Sequence, residues 1–250
     1  MQTATEWFFL LEAGVVAGII GTAGGITSLV AYPALLAVGI PPLAANVTNS
    51  VALLGSGFSS ALRAGPDIVG HSGTLRTWLP PTVLFSLGGA VLLVVTPSSV
   101  FDSVVPFLVA AGSVILLLQP AIARWQARRG APASRAAIGA AGAGVAVYNG
   151  YFGAGSGILM IALLLLSKEP VLHRANALKN VILVASDILP AILFAVVGTV
   201  VWPAVWPLGI GAVIGGLIGP SVARRVPAAV LRVLIAACGL ALAVWLFVEH

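Results

Sequence analysis

The chain of 250 residues is 60% hydrophobic and only 8% charged, with a mean hydropathy of +1.11. A soluble domain carries roughly a quarter of charged residues, so this composition excludes a water-soluble protein and predicts a polytopic membrane protein. The net charge of +5 does not indicate nucleic-acid binding, because the basic residues stand singly or in pairs between long apolar runs. In a membrane protein such residues are topology signals.

Neither thiol nor metal chemistry is predicted. Cys238 is the one cysteine, which excludes an intramolecular disulfide. His71, His173 and His250 lie far apart and have no neighbouring cysteine, so we expect no metal site and no cofactor. No Lys or Arg precedes Arg63, whereas a cleaved signal peptide begins with basic residues, so the chain is expected to be mature from its first residue.

Eight apolar segments follow one another along the chain. Six have the length of a single membrane crossing, since about 20 helical residues span the hydrocarbon core. The first and fifth segments are longer, and each is interrupted by glycines in its middle, which opposes a continuous helix. In chain order the segments are 7–38, 45–62, 77–95, 101–119, 136–167, 178–198, 202–222 and 228–247.

The two halves of the chain share landmarks in the same order, which indicates an internal duplication. The predicted repeats are residues 1–119 and 136–250, joined by a basic cytoplasmic linker at 120–135. Low identity with preserved order is typical of transporter repeats. The matching landmarks are 21–26 with 153–158, 45–51 with 175–181, Pro80 with Pro207, Gly88-Gly89 with Gly215-Gly216, and Gly112 with Gly239.

Two topologies fit the eight segments. If 7–38 and 136–167 cross the membrane, the twelve Lys and Arg residues divide evenly between its faces. If each is a re-entrant hairpin, all twelve lie on or near one face, which the positive-inside rule makes cytoplasmic. We therefore predict an all-α membrane protein of two inverted repeats, each with a re-entrant helical hairpin and three transmembrane helices. Both termini are then extracytoplasmic.

With these motifs, nearly the whole chain resembles the sulfite exporter TauE/SafE family, also called the four-toluene-sulfonate uptake permeases. The resemblance lies in the first glycine cluster, the Gly39-Ile40-Pro41-Pro42 turn and the Ala-Asn-x-Thr-Asn-Ser run at 45–50. In the second half it lies in the Gly-Ser-Gly break, Pro170 and Lys179-Asn180. It implies a bacterial inner-membrane carrier of sulfite, thiosulfate or organosulfonates. The chain departs from the family pattern at Ala23, Ser156, Leu178 and Asp187.

The glycine breaks are the first candidate substrate site. A helix that begins just after each break presents free N–H groups and partial positive charge, both of which suit an anion. The residues involved are Gly24, Gly25 and Thr27 in the first break and Ser156 and Gly157 in the second. The alternative is that these glycines only allow close helix packing.

Polar side chains after the breaks form the second part of the predicted site. Hydroxyl and amide donors suit an oxyanion, and a lysine supplies opposite charge. The alternatives are that the lysine reaches to the cytoplasmic surface and that the residues before the second break are an interfacial aromatic and a helix cap. The candidates are Thr48, Asn49, Ser50, Tyr148, Asn149, Lys179 and Asn180.

Asp187 falls near the middle of the sixth apolar segment. A carboxylate at membrane depth is costly and faces a cavity or a partner. We predict a proton-coupling role; the alternatives are a neutral acid hydrogen-bonded to a glycine break, or a partner for Lys179 two turns away.

The predicted function is secondary transport of a small anion by alternating access, without enzymatic activity. Its partners are the anion, the lipid bilayer and a coupling proton, with homo-oligomerisation left open. Two other classes remain: an intramembrane enzyme that resembles lipid-pyrophosphate phosphatases, and a membrane scaffold that transports nothing. The phosphatase hypothesis needs several buried carboxylates with arginines at the hairpin tips, and the tips here contain neither.

Overall fold

The structure is a computed structural model that describes residues 3–24, 26–128, 134–167, 171–223 and 228–249. Throughout these ranges the chain is helical and contains no strand, which confirms the all-α class. A short 3-10 turn, Gly65–Ile68, accompanies the α-helices. These are α1 Ala4–Gly24, α2 Ser28–Ala37, α3 Pro42–Ala64, α4 Ser72–Val95, α5 Ser98–Arg128, α6 Arg135–Tyr151, α7 Ser156–Ser167, α8 Leu172–Val197, α9 Trp202–Ala223 and α10 Ala228–Glu249.

Both long apolar segments are interrupted where the glycines cluster. The first is divided into α1 and α2 only after Gly24, so Gly21 and Gly24 of the predicted break still belong to α1. Gly25 lies outside the described residues. The second is divided into α6 and α7, and Gly153 and Gly155 between them adopt φ of 79° and 81°. Only glycine enters this left-handed region without steric cost, so the sequence ends α6 there and restarts a helix at Ser156.

Five of the described helices are long and apolar enough to cross a membrane. α2 and α7 have 10 and 12 residues, too few for a crossing. α3 has 23 residues but a lower hydropathy, because its inward face carries buried Asn and Ser side chains. α1, predicted as one limb of a hairpin, has spanning length by itself. The five spans are Ala4–Gly21, Ser72–Val95, Ser98–Ile122, Leu172–Val197 and Trp202–Gly219.

Residues 120–128 of the predicted linker continue α5, which ends at Arg128. Residues 129–133 of that linker lie outside the described residues.

Close contacts at glycines show the relative direction of helices from the two halves. A Cβ on Gly14 of α1 would overlap the carbonyl oxygen of Leu208 in α9, and a Cβ on Gly18 would overlap that of Ala212. Residue numbers therefore rise together along both helices, so α1 and α9 run parallel in close backbone contact. Small residues allow such contact between membrane helices.

The second helix pair that joins the two halves, α4 with α6, has the same geometry. A Cβ on Gly142 of α6 would meet the Trp78 ring of α4 at 2.8 Å, and one on Gly150 would overlap the Ser86 carbonyl oxygen. α4 and α6 therefore also run parallel. In the two predicted repeats α1 corresponds to α6, and α4 corresponds to α9. The α1–α9 contact and the α4–α6 contact are therefore equivalent, and the structure contains both.

α3 and α8 lie against each other at the centre and run in opposite directions. A Cβ on Gly57 would meet Val184 at 2.9 Å, whereas a Cβ on Gly198 would meet Val47 at 2.8 Å, so numbers fall along α8 as they rise along α3. The equivalent helices of the two halves are thus antiparallel.

α3 also runs parallel to α9. A Cβ on Gly209 would meet the Ala52 carbonyl oxygen at 3.0 Å, and a Cβ on Gly55 would meet Val213 at 2.9 Å. Because α1 is parallel to α9 as well, α1 and α3 point the same way. The short helix α2 therefore carries the chain back between them.

Candidate functional site

A cavity of about 120 Å³ lies where α1, α2 and α3 of the first half meet α6, α7 and α8 of the second. Both halves contribute polar side chains to its wall. This volume exceeds the space needed for one water molecule several times, so the cavity admits a small solute. The polar residues on its wall are Thr27, Ser28, Asn49, Ser50, Ser56, Ser60, Asn149, Ser156, Lys179, Asn180 and Asp187.

The structure brings most of the predicted site residues to this one wall, although they are up to 160 positions apart in the sequence. Those on the wall are Thr27, Asn49, Ser50, Asn149, Ser156, Lys179, Asn180 and Asp187.

Other predicted site residues are engaged elsewhere. The Thr48 hydroxyl accepts a hydrogen bond of 3.0 Å from the backbone N–H of Val201, which ties α3 to the loop before α9. The Tyr148 hydroxyl donates to the Ala154 carbonyl at 2.6 Å and closes the second break. Among the predicted glycines, Gly24 is the last residue of α1, Gly157 is buried in the first turn of α7, and Gly25 lies outside the described residues.

Three serines on the wall were missed by the sequence interpretation. Ser56 and Ser60 lie on the helical face that Asn49 already marks, at spacings of seven and eleven residues. That period of a helix was the available signal. Ser28 is the first residue of α2 and follows directly after the predicted Thr27.

Lys179 is the cation of the cavity wall. Its side chain is 2% exposed, and no ion pair with it is formed within the described ranges. Its burial inside the bundle disagrees with the alternative in which it reaches the membrane surface. A buried ammonium without a counter-ion is costly.

Three polar side chains form a continuous hydrogen-bonded chain across the second break. The Asn149 amide nitrogen donates to Asp187 Oδ1 at 2.6 Å, and the Ser156 hydroxyl donates to Asn149 Oδ1 at 2.6 Å. A longer contact of 3.5 Å joins the same amide nitrogen to the Ser86 hydroxyl of α4. Asp187 is therefore tied to the start of α7, and not to Lys179.

The start of α2 is held in a similar way. The Asn49 amide nitrogen donates to the Ser28 hydroxyl at 3.1 Å. Both short helices thus begin with a serine bonded to an asparagine, and both serines lie on the cavity wall. Asn46 links the halves, because its amide donates at 2.9 Å to the Tyr151 carbonyl at the end of α6.

Aromatic rings pack together behind one part of the cavity wall, near the start of α5. Phe152 lies on the wall and packs edge to face against Tyr32, with ring centroids 5.3 Å apart. Phe101, in the first turn of α5, lies 6.5 Å from Phe152 and 6.1 Å from Tyr151. We call Tyr32, Phe101, Tyr151 and Phe152 the aromatic cluster. Such ring pairs stabilise a fold by more than the burial of their apolar area alone provides.

Comparison with known proteins shows the family to which this chain belongs. A sequence profile described as sulfite exporter TauE/SafE matches residues 8–246. The chain belongs to the TauE/SafE family. A relative named "Probable membrane transporter protein ORF9" from Sinorhizobium sp. is 34% identical over 116 residues, which are 45% of this chain and 43% of the relative. The matched region thus spans less than half of the relative's length. No solved structure matches the chain.

Membership of TauE/SafE, a family described as sulfite exporters, agrees with the five apolar helices of spanning length in the described chain. The family is described as an exporter and the relative is named a probable membrane transporter. Every residue of the cavity wall falls inside the TauE/SafE match.

Proposed function

We propose that this TauE/SafE protein is a secondary carrier that moves a small sulfur-containing anion through the central cavity by alternating access. The observation that carries the proposal is the buried Lys179 on a wall to which both halves contribute donors. A site shared between two repeats is what alternating access requires, because rocking one repeat against the other exposes it to each face in turn.

The chemistry of the wall favours an anion. An ammonium, hydroxyls and side-chain amides supply hydrogen-bond donors, and the starts of α2 and α7 add the partial positive charge of a helix N-terminus. A buried cation attracts a counter-ion strongly in a low dielectric. An anion that enters therefore offsets the cost of burying Lys179.

The cavity is large enough for a compact anion. Its volume of about 120 Å³ admits sulfite, thiosulfate or a short alkyl sulfonate.

Helix directions support the inverted repeats and the re-entrant hairpins. α1 and α3 point the same way with α2 between them, and α3 opposes its counterpart α8. The eight-crossing alternative needs α1 and α3 to oppose each other. With these directions, the end of α3 and the start of α8 lie on the same face of the membrane. The first of these helix ends carries Arg63 and the second carries Arg174. The positive-inside rule makes that face cytoplasmic in a bacterial inner membrane, with both termini outside.

Asp187 is the proposed coupling group. It lies on the wall at mid-helix and is bonded to Asn149, so a proton that it binds alters the cavity itself. The carrier would then move its anion together with a proton.

Uptake of radiolabelled anions into proteoliposomes tests the proposal. Sulfite, thiosulfate and methanesulfonate are compared, each with and without a pH gradient. We expect saturable uptake of at least one of them, and loss of that uptake in Lys179→Ala. Uptake no faster than in protein-free liposomes for all three would refute the carrier hypothesis and return attention to the scaffold or enzyme alternatives.

A further inference from the structure

We propose that Asn149 is a positioning residue whose side-chain amide transmits the protonation state of Asp187 to the Ser156 hydroxyl, and so sets how tightly the cavity holds its anion. The inference rests on the proposed function, because it assigns the regulation of that same site.

The bonds fix the orientation of the Asn149 amide while Asp187 is ionised. A carboxylate only accepts hydrogen bonds, so the NH₂ group of Asn149 faces it, at 2.6 Å. The amide oxygen then faces Ser156 and accepts its hydroxyl proton, also at 2.6 Å. In this state the Ser156 proton is engaged inside the protein and is withheld from a solute in the cavity.

Protonation of Asp187 reverses this arrangement. The carboxyl proton, taken from water in the cavity, becomes a donor, and the amide oxygen of Asn149 turns to accept it. The amide NH₂ group then faces Ser156, whose oxygen accepts while its own proton is released toward the cavity. The hydroxyl at the start of α7 thus gains a free donor for the anion at the moment when a negative charge on the wall is removed. No covalent bond other than that of the transferred proton changes.

The surroundings of Asp187 leave few other groups that titrate nearby. Within the described residues Lys179 is the other ionisable side chain on the cavity wall. α4 contributes Ser86, which contacts Asn149, and α3, α6 and α7 contribute amides and hydroxyls. The remaining ionisable residues of the elements packed against α8, and of α8 itself, belong to the ends of those elements: Arg63, Asp67, Arg76, Arg135, Tyr148, Tyr151, His173 and Arg174.

Binding of radiolabelled thiosulfate to the full chain in lipid nanodiscs tests the relay. Thiosulfate stays a dianion between about pH 5 and about pH 8, whereas sulfite takes up a proton in that range. We expect wild-type protein to bind about tenfold more tightly at the lower pH, the effect of one charge-assisted hydrogen bond. Asp187→Asn should reduce this pH dependence to less than about twofold. Asn149→Ala and Ser156→Ala should each leave only the smaller part, about threefold or less, that loss of the Asp187 charge causes directly.

Two further variants separate the relay from a structural brace. Ser156→Thr keeps the hydroxyl and should restore the pH dependence. Ser113→Ala removes a buried serine hydroxyl bonded to the Val109 carbonyl outside the cavity, and should keep the wild-type ratio. If titration of Lys179 caused the pH dependence of binding, that pH dependence would persist in Asn149→Ala and Ser156→Ala. If the relay causes it, these two variants should reduce it.

The outcomes are distinguishable. If folded Asn149→Ala and Ser156→Ala keep the wild-type pH dependence, or if wild-type binding does not change with pH, the relay is wrong while the carrier stands. If both alanine variants fail to fold, Asp187→Asn decides, and tighter binding at low pH in that variant overturns the relay. If wild-type protein binds no anion at either pH, the carrier proposal fails and the relay fails with it.

Discussion

Replacing Lys179 with methionine should weaken anion binding and strengthen the fold at once. Methionine keeps much of the side chain's length and apolar volume, and removes only the ammonium. A hydrogen bond to a charged group contributes about 1.5–3 kcal/mol, so the dissociation constant should rise roughly 10- to 150-fold. An upper limit follows from Coulomb's law, which gives about 4 kcal/mol for unit charges 4 Å apart at an effective dielectric constant of 20.

The effect on stability has the opposite sign. Lys179 is 2% exposed and forms no ion pair within the described chain, so the empty protein bears the cost of a desolvated charge. Removing that cost should raise the free energy of unfolding by about 1–3 kcal/mol. Such an exchange of stability for activity is a property of binding sites, and not of packing residues.

Two measurements on the same purified variant decide the matter: thiosulfate binding by equilibrium dialysis and thermal unfolding in nanodiscs. Arg174→Met is the matched control, because it removes a cation from the same helix at an exposed position. The control should change neither quantity appreciably. Wild-type affinity in Lys179→Met, or lower stability than in the control, would refute the assignment of the ammonium to the anion.

Three further predictions concern packing, closure and topology. Gly150→Ala should cost about 1–3 kcal/mol of stability and disturb Asn149, because its Cβ would overlap the Ser86 carbonyl oxygen, whereas Gly144→Ala meets nothing within 4 Å and should be neutral by thermal unfolding. Phe152→Ala removes a ring from the cavity wall together with its packing on Tyr32, so vesicles with this variant should leak anions down their gradient; tight vesicles would contradict a closing role for the aromatic cluster. A reporter active only in the periplasm, fused to the C-terminus, should give signal, and an inactive reporter would contradict the two-hairpin topology.

Much of the fold was predictable because membranes limit the structures available. Long apolar runs must be helices, and the glycine density at 21–25 and 153–157 predicted breaks that the structure contains. The role of α3 was harder to predict, since its buried serines lower its hydropathy while its length is that of a crossing. Parallel packing of α1 with α9 depends on Gly14, Gly18 and their distant partners, which no local pattern reveals.

The predicted site residues separate according to what the sequence can specify. Lys179 and Asp187 stood out because charges inside apolar segments are rare, and both lie on the cavity wall. Thr48 and Tyr148 have suitable chemistry but bond to Val201 and Ala154 instead. Which way a polar side chain turns depends on partners far along the chain, and spacing alone does not specify them. The bond from Asn149 to Asp187, across 38 positions, is of the same kind.

The location of a bound anion tests the central claim most directly. Selenite is close in shape and charge to sulfite, and its selenium gives an anomalous signal in a crystal of the full chain. The account predicts one peak in the central cavity, within hydrogen-bond distance of Lys179 and near the start of α7, and loss of that peak in Lys179→Met. A peak that persists in the variant, or one that lies outside the cavity while the cavity is empty, would contradict it.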